Sequence, residues 1–411
     1  MMSQFEPHLR WVAGQQDRML RLLGEWAGIN SGSRNLDGLR RMATAVEAEF
    51  GKLGGEMQNL DLRPQVVVDE RGEVREERLG KATWVRKRPG APLRVFLGIH
   101  MDTVYGPGHA FQNVELIDGG RLRGPGVADA KGGLVVMLVA IEALERTPWA
   151  ASTGWEVLIN PDEEIGSPGS AVILADCARR NDLGMVFEPA FSDGAMVGAR
   201  KGSGNFSAVV RGKSAHAGRD FHLGRNAVLA AAEFAVAAAK LNGTIGGVTV
   251  NVGHIDGGGP VNVVPDLAVC RINVRVATAG EQKRAEEELR RIADDIDARD
   301  GIHLELHGGF SSPPKPVDEK TAELMGHVAA CGEELGLGEI AWRGSGGVSD
   351  GNKLAAAGLT VVDTFGVRGG NLHSAEEFMV IESLTERAQL AALLLMKLAA
   401  GEIPWPRKAK V

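Results

Sequence analysis

The sequence predicts an α/β protein: a mixed, mostly parallel sheet flanked by helices, into which a smaller ferredoxin-like α+β module is inserted. Three observations predict it. From Pro92 onward, short apolar runs alternate with Gly-rich loops and helical stretches: RVFLGIH, then 134–144, then WEVLIN, then 171–180. That alternation marks parallel strands joined by helical crossovers. Near Lys201 the pattern changes to β-α-β-β-α-β, the split arrangement of a small ferredoxin-like unit. After the Pro-rich stretch FSSPPKP (310–316), the first pattern resumes with a helix, a Gly-rich loop, the strand LTVVDTFG and a long final helix. Residues 1–201 and 311–411 are therefore expected to form one discontinuous domain and 202–310 an inserted one.

Taken in order, residues 8–27 and 36–53 carry apolar positions at three- and four-residue spacing, predicting two opening helices broken by the polar GINSGSRN. Ser167-Pro168 has the form of an N-cap followed by proline in the first turn, which predicts a helix start there. In the inserted module, 204–211 alternates as a strand, 224–241 is Ala-rich and helical, and 246–256 and 262–276 are strand-like. A charged helix follows at 280–298, then a strand at 302–307. Helices are expected at 318–335 and 382–400, and the final WPRKAKV is expected to be an untethered tail.

Composition narrows the function classes. Of 411 residues, 44% are apolar and 24% charged, enough to bury a full core. The formal charge of −7 supplies no positive field for phosphates or anionic lipid, and a single Tyr with 12 Phe offers little for base stacking. Nucleic acid and membrane are therefore excluded as partners. Cys177, Cys270 and Cys331 are scattered and odd in number, which fits buried thiols in a reducing compartment better than disulfides or a thiolate metal site. The N-terminus shows no basic segment leading into an apolar run, and no stretch reaches the ~18 apolar residues of a spanning helix. A cytoplasmic location is expected.

Five segments hold acids and histidines where packing does not ask for them. In GIHMDTV, His100 and Asp102 sit two apart at the carboxyl end of a predicted strand, where open α/β sheets bind ligands. In RGPGVADAKGG, Asp129 and Lys131 lie among glycines just before an apolar helix. Asp129 occupies the place where a dinucleotide loop wants its third glycine, so its charge argues against a phosphate cradle. RGKS at 211–214 resembles half a P-loop, yet Ser207 stands where that motif needs Gly. NPDEEIGSPGS places Glu163 and Glu164 side by side after a strand; MVFEPA ends an apolar run on Glu188; GGNLHSAEEF presents His373 after two glycines.

Two histidines with several carboxylates and no cysteine make a nitrogen/oxygen donor set suited to Zn²⁺, Co²⁺ or Mn²⁺. A two-metal hydrolase needs a shared carboxylate, terminal ligands on each ion and one free carboxylate as base. The inventory supplies each part. His100, Asp129 and Glu188 are assigned to one ion, Asp129, Glu164 and His373 to the other, and Glu163 to proton transfer. Apart from His216, the remaining histidines, 8, 109, 222, 254, 303, 307 and 327, fit no ligand position and are left to the surface or to ordinary hydrogen bonds.

With GIHMDTV, GPGVADAKGG, NPDEEIGS, VFEP and LHSAEEF in this order, and GKSAHAGRD and NVVPDLAVCRINVRV between the fourth and fifth, the chain resembles a known family. That family is the co-catalytic zinc peptidases that include glutamate carboxypeptidase, aminoacylase, acetylornithine deacetylase and succinyl-diaminopimelate desuccinylase. The likeness runs through nearly all of the chain from about residue 90. It implies the ligand set just assigned, two ions that are normally zinc, Asp102 as the residue that orients His100, and a cis peptide at Asp129-Ala130. It also implies a homodimer formed through the inserted module, with His216 reaching the partner's site as an oxyanion donor and Asn262 and Arg275 facing substrate. Glu188-Pro189 resembles the glutamate carboxypeptidase branch. The resemblance implies hydrolysis of an amide beside a free carboxylate, in a peptidyl or N-acyl amino acid. An N-acyl-amino-acid deacylase is the alternative, and a metal-binding dimer without catalysis a remote one.

Overall fold

The protein is described by a computed structural model covering residues 4–406. Its central sheet has six strands in the order Glu56–Leu60, Ala82–Lys87, Thr153–Asn160, Leu93–His100, Leu183–Val186 and Val361–Val362. The last four run parallel, Ala82–Lys87 runs antiparallel to them, and Glu56–Leu60 pairs antiparallel with Ala82–Lys87, the mixed sheet expected from sequence. TGWEVLIN is buried along its whole length and LRVFLGIH nearly so, as continuous apolar strands require when helices cover both faces of a sheet.

One face packs on Lys131–Glu145, Ser383–Ala400 and the N-terminal helices, through residues such as Val95, Leu97, Leu138 and Leu394. The other packs on Ala171–Arg180 and Asp350–Ala356, through Phe96, Leu158, Leu174 and Leu354. Gly133, in the first turn of Lys131–Glu145, sits so close to the adjoining strand end that a Cβ would lie 2.0 Å from the Phe187 carbonyl oxygen. This approach brings the Asp129 loop against Glu188. A second, five-stranded sheet runs Ala190–Phe191, Arg368–Gly370, Phe378–Val380, Arg121–Arg123, Glu115–Asp118 and frames the His373 loop.

Between Gly202 and Ser312 the chain builds a separate antiparallel sheet in the order Thr249–Gly257, Leu267–Val276, Gly202–Arg211, His303–Ser312. Helices Ala227–Ala239 and Ala279–Asp297 enclose its own apolar core, including Phe206, Phe234, Ile272 and Leu289. This is the β-α-β-β-α-β order read from the sequence. The two linkers to this unit lie side by side. Arg200 and Lys315 exchange backbone hydrogen bonds at 2.9 and 3.0 Å, while Asn352 Nδ2 donates to Lys201 O (3.0 Å) and Pro313 O (2.7 Å). Buried Asp363 accepts from the Arg200 guanidinium at 2.9 and 3.1 Å and lies 3.6 Å from Lys315 Nζ.

Four local expectations are corrected. The first opening helix is two, Glu6–Ala13 and Gln16–Ala27, broken at Gly14. Ser167-Pro168 does not start a helix: Ser167 has φ +52 and its hydroxyl bonds Asp350, while Asp162 accepts the N–H groups of Gly169 (2.8 Å) and Ser170 (3.1 Å). With those donors satisfied by Asp162, the helix begins at Ala171. The strand expected at 262–276 is interrupted by Pro265, which lacks an N–H; Val263–Val264 pairs with Ala215–His216 and Leu267–Val276 joins the sheet. The tail is tethered at its start, where Trp405 Nε1 donates to Asp182 O at 3.1 Å, and residues 407–411 lie outside the described residues. Among the described residues no helix is long and apolar enough to cross a membrane, and Cys177, Cys270 and Cys331 are buried and free.

Candidate metal centre

His100 closes its strand, Glu163 and Glu164 form a single turn after Thr153–Asn160, and Glu188 follows Leu183–Val186. All sit at the carboxyl edge of parallel strands, where crossover loops leave a crevice. Asp129 enters from the loop before Lys131–Glu145, with a cis Asp129-Ala130 peptide, and His373 from the loop between Arg368–Gly370 and Phe378–Val380.

Asp129 lies between the two histidines. Its Oδ1 is 3.1 Å from His100 Nε2 and its Oδ2 is 3.3 Å from His373 Nε2. Glu188 approaches His100 Nε2 at 3.8 Å, and Glu164 approaches His373 Nε2 at 3.1 Å. Donor atoms of His100, Asp129 and Glu164 all lie within 4.8 Å of one another. The other ring nitrogen of His100 faces Asp102, 3.0 Å from its carbonyl oxygen and 3.3 Å from its carboxylate. That carboxylate is itself fixed by Ser33 Oγ at 2.6 Å and by the N–H groups of Glu163 (3.1 Å) and Glu164 (3.2 Å). One side chain thus aligns both the histidine and the paired glutamates.

Crowding the acids perturbs them. Burial pushes Glu188 up to about 8 and Glu164 up to about 7, with the negative charge of Asp129 adding to both. Burial and the charge of Glu188 hold Glu163 well above the usual carboxyl range. Asp129 goes the other way: hydrogen bonds from His100 and His373 outweigh its burial and keep it ionised. Burial opposes a charge on His100, yet Asp102 and Asp129 hold it well above its ordinary value, and Asp129 and Glu164 hold His373 up to about 11. The metal-free centre therefore stores protons on Glu164, Glu188 and His373 that a cation must displace. Metal uptake is expected to release protons in decreasing number from about pH 6 to about pH 9, with affinity rising over the same window. Calorimetry in buffers of different ionisation enthalpy measures this, and an affinity flat across that range contradicts it.

Sequence reasoning missed the roles of the supporting groups. Glu377, buried, accepts the N–H groups of Ala128 and Asp129; Tyr105 contacts Glu377; and Lys131, which burial pushes down to about 7, donates to Ile29 O at 2.7 Å. Lys131 stood out in RGPGVADAKGG without a role, Glu377 was only the second acid of LHSAEEF, and Tyr105 carried no signal. His216, Asn262 and Arg275 do not line the cleft of this chain. His216 sits in the short ribbon with Val263, its Nδ1 accepting from Gly218 and Arg219 N–H, and the neighbouring Asn262 carbonyl accepts from Ala217. Arg275 leans on the rim, its Nη1 3.4 Å from Gly346 O.

The cleft holds about 370 Å³; its lining includes Asp129, Glu163, Glu164, Glu188 and His373 together with apolar Phe191, Val197, Val348 and Leu372. Imidazole and carboxylate donors converging on a shared carboxylate, with no thiolate among them, fit a borderline divalent cation. Such a donor set, opening into a substrate-sized cleft at the strand ends, defines a metal-dependent hydrolase. The chain belongs to Peptidase family M20/M25/M40, whose family model matches residues 96–397. It is 26% identical over 392 residues to carboxypeptidase G2 of Pseudomonas sp. (strain RS-16), covering 94% of this chain and 91% of that protein. It is 30% identical over 329 residues to succinyl-diaminopimelate desuccinylase of Pseudomonas syringae pv. syringae (strain B728a), covering 75% and 83%. In fold it matches a tripeptidase of Staphylococcus aureus with a TM-score of 0.74 at 22% identity, over 94% of this chain and 99% of that one.

Proposed function

We propose that the chain is a di-zinc amidohydrolase that removes an amino acid with a free carboxylate, glutamate foremost, from an acyl or peptidyl conjugate. The observation that carries the two-ion reading is Asp129, whose two oxygens face two different histidines. His100, Asp129 and Glu188 would hold one ion, and Asp129, Glu164 and His373 the other. When bound, the ions acidify a water and polarise the scissile carbonyl. Glu163 takes the water's proton at its carboxylate and returns it to the leaving nitrogen, while Asp102 keeps His100 in one orientation. Arg275, on the rim, and Asn262, in the inserted unit, stand outside the cleft of this chain and are assigned to the substrate carboxylate on the strength of the family resemblance, a guanidinium offering two parallel hydrogen bonds. The buried free cysteines support a reducing, cytoplasmic setting.

The cleft wall favours a carboxypeptidase over a desuccinylase. Besides the acids its lining includes Phe191, Val197, Val348 and Leu372, and its one arginine, Arg200, is already engaged by Asp363, which suits an apolar acyl group better than a charged succinyl one. On the metal-loaded protein, kcat/KM for N-benzoyl- and peptidyl-glutamate is expected to exceed that for N-succinyl and N-acetyl amino acids at least tenfold, a difference of about 1.4 kcal/mol in transition-state binding. The reverse order establishes the deacylase alternative. Two bound ions with no hydrolysis across the panel establish the metal-binding dimer.

A homodimer through the inserted module completes the site, with His216 of the partner subunit donating to the developing oxyanion. His216→Ala is expected to lose about 10²–10³ in kcat with metal content unchanged. Mixing it with Glu163→Gln chains should restore part of the activity in heterodimers, and a mixture as inactive as its components rules out the shared site.

A further inference from the structure

We infer that Tyr105 and Glu377 are positioning residues that set how tightly the chain holds the ion beneath His373; the inference rests on the two-ion reading above. Glu377 is 1% exposed and stands outside the donor cluster. Its Oε1 accepts the backbone N–H groups of Ala128 and Asp129, both at 3.0 Å, and its Oε2 lies 2.9 Å from the hydroxyl of Tyr105, the only tyrosine of the chain. The same hydroxyl donates to Ser374 O at 2.8 Å. These contacts join three separate pieces of the centre: the loop beyond Asp102, the loop of Asp129 and the loop of His373.

The His373 loop has need of such an anchor. His373 is 56% exposed in its side chain, and both it (φ +61) and Asn371 (φ +55) take a left-handed conformation that costs about 1 kcal/mol or more for residues with a Cβ. Hydrogen bonds inside the loop, from Ser374 Oγ to Asn371 O (2.7 Å) and from Glu377 N–H to Ser374 O (3.1 Å), shape it without fixing it to the protein. Apart from His373 itself and Glu377's side chain, the other long-range polar holds among the described residues are the exposed Arg123–Glu376 pair and, at the end of the loop, the Gly124 N–H that donates to Glu377 O at 3.2 Å. Gly124 holds only the far end of the loop, whereas Tyr105 reaches Ser374, next to His373; it is a buried tether that keeps His373 at its distance from Asp129, and Glu377 keeps Asp129 in place from behind. Groups that orient ligands in this way tune metal affinity without touching the ion.

The test is titration of metal-free protein with Co²⁺ against a chelator, read by visible absorption, alongside thermal unfolding of the metal-free form. Wild type is expected to take up two ions. Tyr105→Phe should take up two as well, with the dissociation constant of one raised about tenfold and that of the other changed less than about threefold. Glu377→Ala should weaken uptake about 100-fold, and Glu377→Gln, which keeps an oxygen for both N–H groups, should recover most of that loss. Wild-type affinities in Tyr105→Phe, or two ions weakened equally with a lowered melting temperature, overturn the inference. Should Glu377→Ala fail to fold, Tyr105→Phe decides alone, since it removes a single oxygen. A wild-type protein that takes up fewer than two Co²⁺ overturns the two-ion reading, and the inference falls with it.

Discussion

Glu163→Gln is expected to keep its metal and lose about 10²–10⁴ in kcat, the usual contribution of a positioned general base. The side chain lines the cleft beside Glu188 and Glu164, and its backbone N–H is pinned to Asp102 at 3.1 Å, so the amide replacement retains shape and position. What it loses is the ability to accept a proton. Without cations, burial and the charges of Glu188, Asp350 and Glu164 hold this carboxyl well above the usual carboxylate range; bound cations oppose that field. Metal analysis and turnover on the same sample separate the two effects. Turnover within threefold of wild type would remove Glu163 from the role of base.

Asp129→Ala is expected to have the larger consequence for binding: loss of both ions and activity below detection. Each of its oxygens faces a different histidine, so one truncation opens both positions, whereas His373→Ala should release one ion and leave the other with His100 and Glu188. It also leaves two histidines without the carboxylate that holds their pKa values high, so metal-free Asp129→Ala should titrate both nearer the ordinary histidine range. Elemental analysis after gel filtration measures stoichiometry. Retention of two ions would mean that the histidines are bridged by another group.

Much of this was legible in the sequence because strand ends are marked by composition. LRVFLGIH, WEVLIN and LGMV are apolar up to their ends but for Arg94 and Glu156, and His100, the Glu163-Glu164 pair and Glu188 stand at or just beyond those ends. The inserted unit was legible from its alternation and its charged helix. The supporting residues were not. Tyr105 meets Glu377 across 272 positions of sequence, and neither sits in a pattern that distinguishes a buried carboxylate from a solvated one. The helix start at Ser167 was misread for a related reason: its cap comes from Asp162, a side chain that local grammar places in a loop and tertiary structure turns inward. Partners supplied from far along the chain are invisible to spacing rules.

The paired linkers have an architectural consequence. Because the chain departs at Arg200 and returns at Lys315 one hydrogen-bonded step away, the inserted unit behaves as a cassette whose removal needs only a short turn to close the remaining polypeptide. Strand order in the central sheet does not depend on it. Evolution could exchange or reshape that cassette while the inherited acid and imidazole scaffold stayed in register.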